Sequence, residues 1–181
     1  MWVSPTPGSF VRVEDGVLHV MGLDTGAGVE AIAPVPALHC LEFDYLQPAE
    51  ERAGGYQNNV SCAVTRKAPG QTWDGAVWYL EASGSVYSYL LGTWQRRGGG
   101  PRFPPRDDRW YRVRICNQES AAAVIVSDRE TGELCWRASI PHDPIVAGRI
   151  RFDAAADGQG SQWGFRLDNV KVSSLEPVSA P

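Results

Sequence analysis

Two carboxylates one residue apart open the chemical reading of this chain. In Leu41-Glu42-Phe43-Asp44-Tyr45-Leu46 acidic and apolar residues alternate, so an extended strand sets Glu42 and Asp44 on one face with Cα atoms about 7 Å apart. Paired carboxylates suit glycoside cleavage, because a proton donor and a nucleophile or base must flank the scissile bond, roughly 5 Å apart for retention and about 6.5–9.5 Å for inversion. The bland alternative is the solvated outer face of a strand. Between Asp74 and Trp94 the sequence is dense in aromatics, with Trp78, Tyr79, Tyr87, Tyr89 and Trp94 interleaved with Glu81, Ser83, Ser85 and Ser88. Sugar rings offer apolar C–H faces and hydroxyl edges, so rings beside carboxylates and hydroxyls make a plausible subsite. Alternation pairs Tyr79 with Glu81, and Tyr87 with Tyr89, on single strand faces; aromatics of the other parity belong to a core.

The elements that must position these groups are strands. Trp110-Tyr111-Arg112-Val113-Arg114-Ile115 and Arg149-Ile150-Arg151-Phe152 alternate apolar with charged residues, the period of half-buried β-structure. Strands are expected over Phe10–Val13, Val17–Met21, Val29–Ala33, Leu38–Leu46, Val60–Arg66, Ala76–Ala82, Val86–Trp94, Trp110–Asn117, Ala121–Ser127, Leu134–Ile140, Gly148–Ala154 and Trp163–Ser173. With 19 glycines and 13 prolines no long amphipathic helix fits, and only Pro48–Ala53 could make one turn. Glu14-Asp15-Gly16 and Arg129-Glu130-Thr131-Gly132 read as hairpin connections, and Gln95–Asp108 as a long loop of the kind that borders sites. So many short strands predict one all-β domain spanning residues 1–181, an antiparallel sandwich of two stacked sheets. In the last strand Phe165 and Leu167 fall on one parity and Val170 and Val172 on the other, so a bulge at Asp168-Asn169 is expected. It frees the Asp168 carboxylate for a partner: a structural calcium ion shared with Glu14, or a side-chain to backbone hydrogen bond. No cofactor is certain, and a structural calcium ion is the one candidate.

Composition closes off several classes. The 181 residues carry a formal net charge of -4 and no long block of like charge, which gives no electrostatic reason to bind nucleic acid. No apolar run approaches the roughly 20 residues that span a bilayer, so no membrane partner is expected. The start, Met1-Trp2-Val3-Ser4-Pro5, lacks the basic and apolar segments of a secretory signal, consistent with a cytoplasmic protein or an exported one already trimmed. Cys40, Cys62, Cys116 and Cys135 are widely spaced beside apolar runs; buried free thiols are the first expectation, with one or two disulfides if the protein is exported. His19, His39 and His142 show no zinc-ligand spacing with them. Neither a phosphate loop nor a nucleophile elbow appears. Oligomeric state is unread.

Several segments, Asn59-Val60-Ser61-Cys62-Ala63-Val64-Thr65-Arg66, Trp78-Tyr79-Leu80-Glu81-Ala82, Ser83-Gly84-Ser85-Val86-Tyr87, Arg109-Trp110-Tyr111-Arg112-Val113 and Phe165-Arg166-Leu167-Asp168-Asn169-Val170, occur in an order that resembles the concanavalin A-like, laminin-G-like jelly rolls. Within that superfamily the order is similar to the 3-keto-disaccharide hydrolase-like domains, over residues 38–173. The resemblance implies that Asn59, Arg66, Glu81 and Tyr87 line a concave sheet. The carboxylate strand departs from the Glu-x-Asp-x-Glu strand of sandwich glycosidases, since Leu46 stands at its third acidic position. The expectation is a carbohydrate-active protein that binds a glycan or glycoside. Glycosidic cleavage by Glu42, Asp44 and Glu81 is favoured, with Asn59, Arg66, Tyr79, Tyr87, Tyr89 and Trp94 as substrate contacts. A noncatalytic glycan-binding module, an enzyme on a non-sugar small molecule and a protein-interaction domain are the alternatives.

Overall fold

The computed structural model describes residues 8–23, 27–30, 35–36, 38–53, 59–65, 75–81, 86–90, 93–97, 108–118, 120–141, 147–155 and 162–175; between 52 and 97 the described features are those of the backbone. In chain order the strands are β1 (Phe10–Glu14), β2 (Val17–Leu23), β3 (Ala27–Glu30), β4 (Val35–Pro36) and β5 (His39–Leu46). A 3-10 turn at Ala49–Glu51 follows, then β6 (Arg52–Ala53), β7 (Asn59–Thr65), β8 (Gly75–Glu81), β9 (Val86–Leu90) and β10 (Thr93–Arg97). The last five are β11 (Trp110–Asn117), β12 (Ala121–Asp128), β13 (Leu134–Pro141), β14 (Ala147–Ala155) and β15 (Gln162–Ser174). No α-helix occurs among the described residues.

The strands form two antiparallel sheets. The first has the order β1-β2-β15-β5-β11-β12-β13 with β6 alongside β15, and the second the order β10-β9-β8-β7-β14-β3 with β4 alongside β14. Alternation decides what each strand of the first sheet buries: Leu41, Phe43 and Tyr45 on β5, Tyr111, Val113 and Ile115 on β11, and Ala122, Val124 and Val126 on β12 join one core with Ile150, Phe152 and Ala154 from the second sheet. Phe43 and Phe152 meet edge to face across the sandwich at 5.1 Å between ring centroids. Burial of such rings is the main cohesive term between the layers.

The expected hairpins form. Asp15 and Gly16 take φ of 50° and 82° in the β1–β2 reversal, and Gly132 takes 73° between β12 and β13. The bulge forms as well: the register of β15 against β5 shifts between Asp168 and Lys171, and Asn169 has a left-handed φ of 53°. The stretch Val86–Trp94, expected as one strand, is instead two antiparallel strands, β9 and β10, with Thr93 opposite Leu90. Gly92 is the one turn signal in that stretch, and the apolar and aromatic residues on both sides of it keep the composition of a single strand. Of the expected loop at Gln95–Asp108, Gln95 to Arg97 belong to β10, and most of the remainder lies outside the described residues.

The expectation of free thiols is overturned for two of the four cysteines. Cys40 and Cys116 are register partners on β5 and β11 and form a disulfide, because directly opposed side chains of an antiparallel pair lean together. Cys135 is a free thiol, but exposed rather than buried.

Candidate functional site

The first expected carboxylate, Asp44, lies on the outer face of β5 because its neighbours Phe43 and Tyr45 face the core. Its side chain is nevertheless 1% exposed, since long cations close over it. Arg112, its register partner on β11, donates to it from Nε at 2.9 Å and from Nη2 at 3.3 Å. Arg129 Nε stands 3.1 Å from Oδ2, and Asn169 Nδ2 donates to the same oxygen at 2.8 Å. The left-handed backbone at Asn169 thereby turns a side-chain amide onto a buried carboxylate. Arg129 also reaches Asp168 at 3.1 Å and lies over the Trp110 ring at 4.9 Å from its centroid. Burial pushes the Asp44 carboxyl up, but the hydrogen bonds from Arg112 and Asn169 and the charges of Arg112 and Arg129 outweigh it and hold its pKa below the usual value.

A second buried acid, Asp128, ends β12. It accepts hydrogen bonds from the backbone N–H groups of Glu130 and Thr131 and from the Thr131 hydroxyl, and pairs with Arg109. The Thr131 N–H contact above all, opposed by burial and aided by Arg109, brings its pKa down to about 2. Both carboxylates thus favour the folded state in their ionised form. An unfolded Asp titrates near pH 4, so this contribution is complete above about pH 4 and is lost as pH falls from there toward about 2. The midpoint of thermal unfolding is expected to be level between neutrality and about pH 4 and then to drop; a flat profile down to about pH 2 would contradict the assignment.

One outward row along from Asp44 and Asp168, where Arg166 of β15 is opposite Leu46 and His19, the 3-10 turn Ala49–Glu51 meets β2 and β15. Glu51 accepts from His19 Nε2 at 2.6 Å and from Arg166 at 3.2 Å, and packs onto Gly164, where a Cβ would stand 2.8 Å from the Glu51 Cβ. Glycine leaves room for the turn. These groups have no counterpart among the expected site residues.

The two carboxylates expected to share a calcium ion hold different partners. Glu14 on β1 pairs with Arg12 at 3.0 Å and faces His19, whereas Asp168, beyond β2, binds Arg129 and its own neighbour Asn169. Each carboxylate already faces a cation, a poor setting for a metal ion. Among the described residues no group of three or more His, Cys, Asp or Glu side chains could hold one.

The expected catalytic trio is also divided, because Glu42 and Asp44 belong to β5 of the first sheet and Glu81 to β8 of the second. The substrate-contact set fares differently. Asn59 is opposite Glu81, Tyr79 opposite Tyr87 and Tyr89 opposite Trp94, so five of the substrate-contact positions and Glu81, six in all, share one register face across β7, β8, β9 and β10. Cys62 is opposite Phe152, a core residue, and Ser61, of the other parity, is opposite Tyr79. The six positions therefore fall on the face of the second sheet turned away from the core. Arg66 lies outside the described residues.

With that geometry, 293 solved chains resemble this one significantly. The carbohydrate binding module CBM66 from Bacillus subtilis superposes with a TM-score of 0.64 at 10% identity over 92% of both chains. The legume lectin-like domain from Entamoeba histolytica gives 0.66 at 11% identity, covering 93% of this chain and 88% of that one. The exoplasmic/lumenal domain of VIP36, in its Ca2+/Man3GlcNAc-bound form, gives 0.68 at 12% identity over 94% and 84%. The chain has the concanavalin A-like jelly-roll fold. No family model and no curated protein matches the sequence.

Proposed function

We propose that this protein is a carbohydrate-binding jelly roll that holds its ligand on the outer face of β7, β8, β9 and β10. The observation that carries this is the register, which gathers Asn59, Glu81, Tyr79, Tyr87, Tyr89 and Trp94 onto one face although they are scattered over the sequence. Aromatic positions beside an amide and a carboxylate form the kind of platform sugar rings use. Lectin-like and carbohydrate-binding proteins of the same fold support the same ligand class. Binding is favoured over bond cleavage because only Glu81 of the three expected catalytic carboxylates belongs to this sheet, and the mechanism needs two acids across one bond.

Titration of a neutral glycan panel followed by tryptophan fluorescence tests this. Tyr87→Ala and Trp94→Ala are each expected to weaken binding about tenfold, the worth of one stacked ring. No response to any glycan would refute the reading, and release of new reducing ends, abolished by Glu81→Gln, would replace it with hydrolysis. The same titration in EDTA and in calcium reports on any ion the protein holds.

A further inference from the structure

Five residues form one row across the outer face of the first sheet. Lys171 is opposite Glu42, Glu42 opposite Arg114, Arg114 opposite Ile125 and Ile125 opposite Arg137, on the neighbouring strands β15, β5, β11, β12 and β13. The three cations are exposed, Glu42 is half-buried, and Ile125 is 43% exposed. Of the arginines whose side chains are described, Arg12, Arg109, Arg112, Arg129 and Arg166 pair with carboxylates. Among the described residues no ion pair engages Arg114, Arg137 or Lys171. The unpaired cations thus stand in a single line, one on every second strand, at a repeat of about 10 Å. The adjacent outward row is low: Ser173, the Cys40–Cys116 disulfide, Ala123 and Ser139, so the line is open along one side.

We propose that this row docks an acidic polysaccharide in which a uronic acid alternates with a neutral sugar. An extended pyranose chain advances by close to one interstrand spacing per sugar, so acids on alternate sugars meet Lys171, Arg114 and Arg137 in turn. The neutral sugar above Glu42 offers hydroxyl donors to its carboxylate, and the one above Ile125 lays its C–H face on the side chain. A chain charged on every sugar, or a phosphodiester backbone, would press an anion onto Glu42. An anionic bilayer is disfavoured for the same reason, and because the cations form a line rather than a ring about a protruding apolar group. This surface belongs to the other sheet from the β7–β10 face, and its occupancy does not depend on the function proposed there.

The test is calorimetric titration of the full chain with hyaluronan, in which glucuronate alternates with N-acetylglucosamine. Binding is expected to weaken as salt rises, and Arg114→Gln with Arg137→Gln to lower affinity about tenfold. Arg12→Gln, which removes a cation far along the sheet on β1, is expected to leave it unchanged. Polygalacturonate, duplex DNA and phosphatidylserine vesicles are expected to bind more weakly than hyaluronan. Absence of hyaluronan binding, indifference to the double substitution, or tighter binding to the vesicles, the DNA or the homopolymer would each overturn the proposal.

Discussion

Phe43→Ala is expected to lower the unfolding free energy by about 4 kcal/mol, the usual result of deleting a buried phenyl ring. Phe43 is 0% exposed and touches Phe152 of the opposite sheet, with ring planes at 80°. Its loss removes both the transfer energy of the ring and an interlocking contact that few neighbours can replace, because strands on either side hold the backbone fixed. For a domain of this size the unfolding temperature should fall by roughly 10 °C. Phe43→Leu, which keeps most of the volume, should cost less than about 1.5 kcal/mol. Equal losses for the two substitutions in chemical denaturation would mean that Phe43 does not join the layers as described.

The second large effect is expected from the Cys40–Cys116 bond. The two residues are 76 positions apart in sequence, and a cross-link closing so long a loop removes conformational freedom from the unfolded chain worth on the order of 4–5 kcal/mol. Denaturation in dithiothreitol should show the protein less stable by about that amount, and Cys40→Ala with Cys116→Ala should reproduce the loss without reductant. Cys135→Ser, at an exposed thiol, should change neither measurement. Identical denaturation midpoints for oxidised and reduced protein would refute the cross-link.

Much of the architecture is local in origin and legible in the residue pattern. The alternation of Trp110 to Ile115 alone marks β11, which runs from Trp110 to Asn117. The clash of parity between Leu167 and Val170 locates the bulge at Asp168 and Asn169. What alternation does not encode is partnership between distant strands. Glu42 and Glu81 carry the same local signature, yet β5 and β8 join different sheets, a choice made by packing over the whole chain. The disulfide is hidden for the same reason, since Cys40 and Cys116 look like ordinary core thiols until the register of β5 against β11 is known. The pairing of Arg112 and Arg129 with Asp44 is equally hidden: each side chain reads as solvated surface alone, and only their convergence buries the acid. The aromatic positions are easier to group, because they lie on successive strands, where near-neighbour pairing is the rule.

Strands β7, β8, β9 and β10 all fall between Cys40 and Cys116 in the chain, so four members of the second sheet sit inside a covalent ring whose clasp is on the first. A protease that severs the backbone once within that ring releases no fragment: the severed ends stay joined through sulfur. Such a nick leaves the mass of the oxidised molecule almost unaltered and separates two pieces only after the clasp is opened.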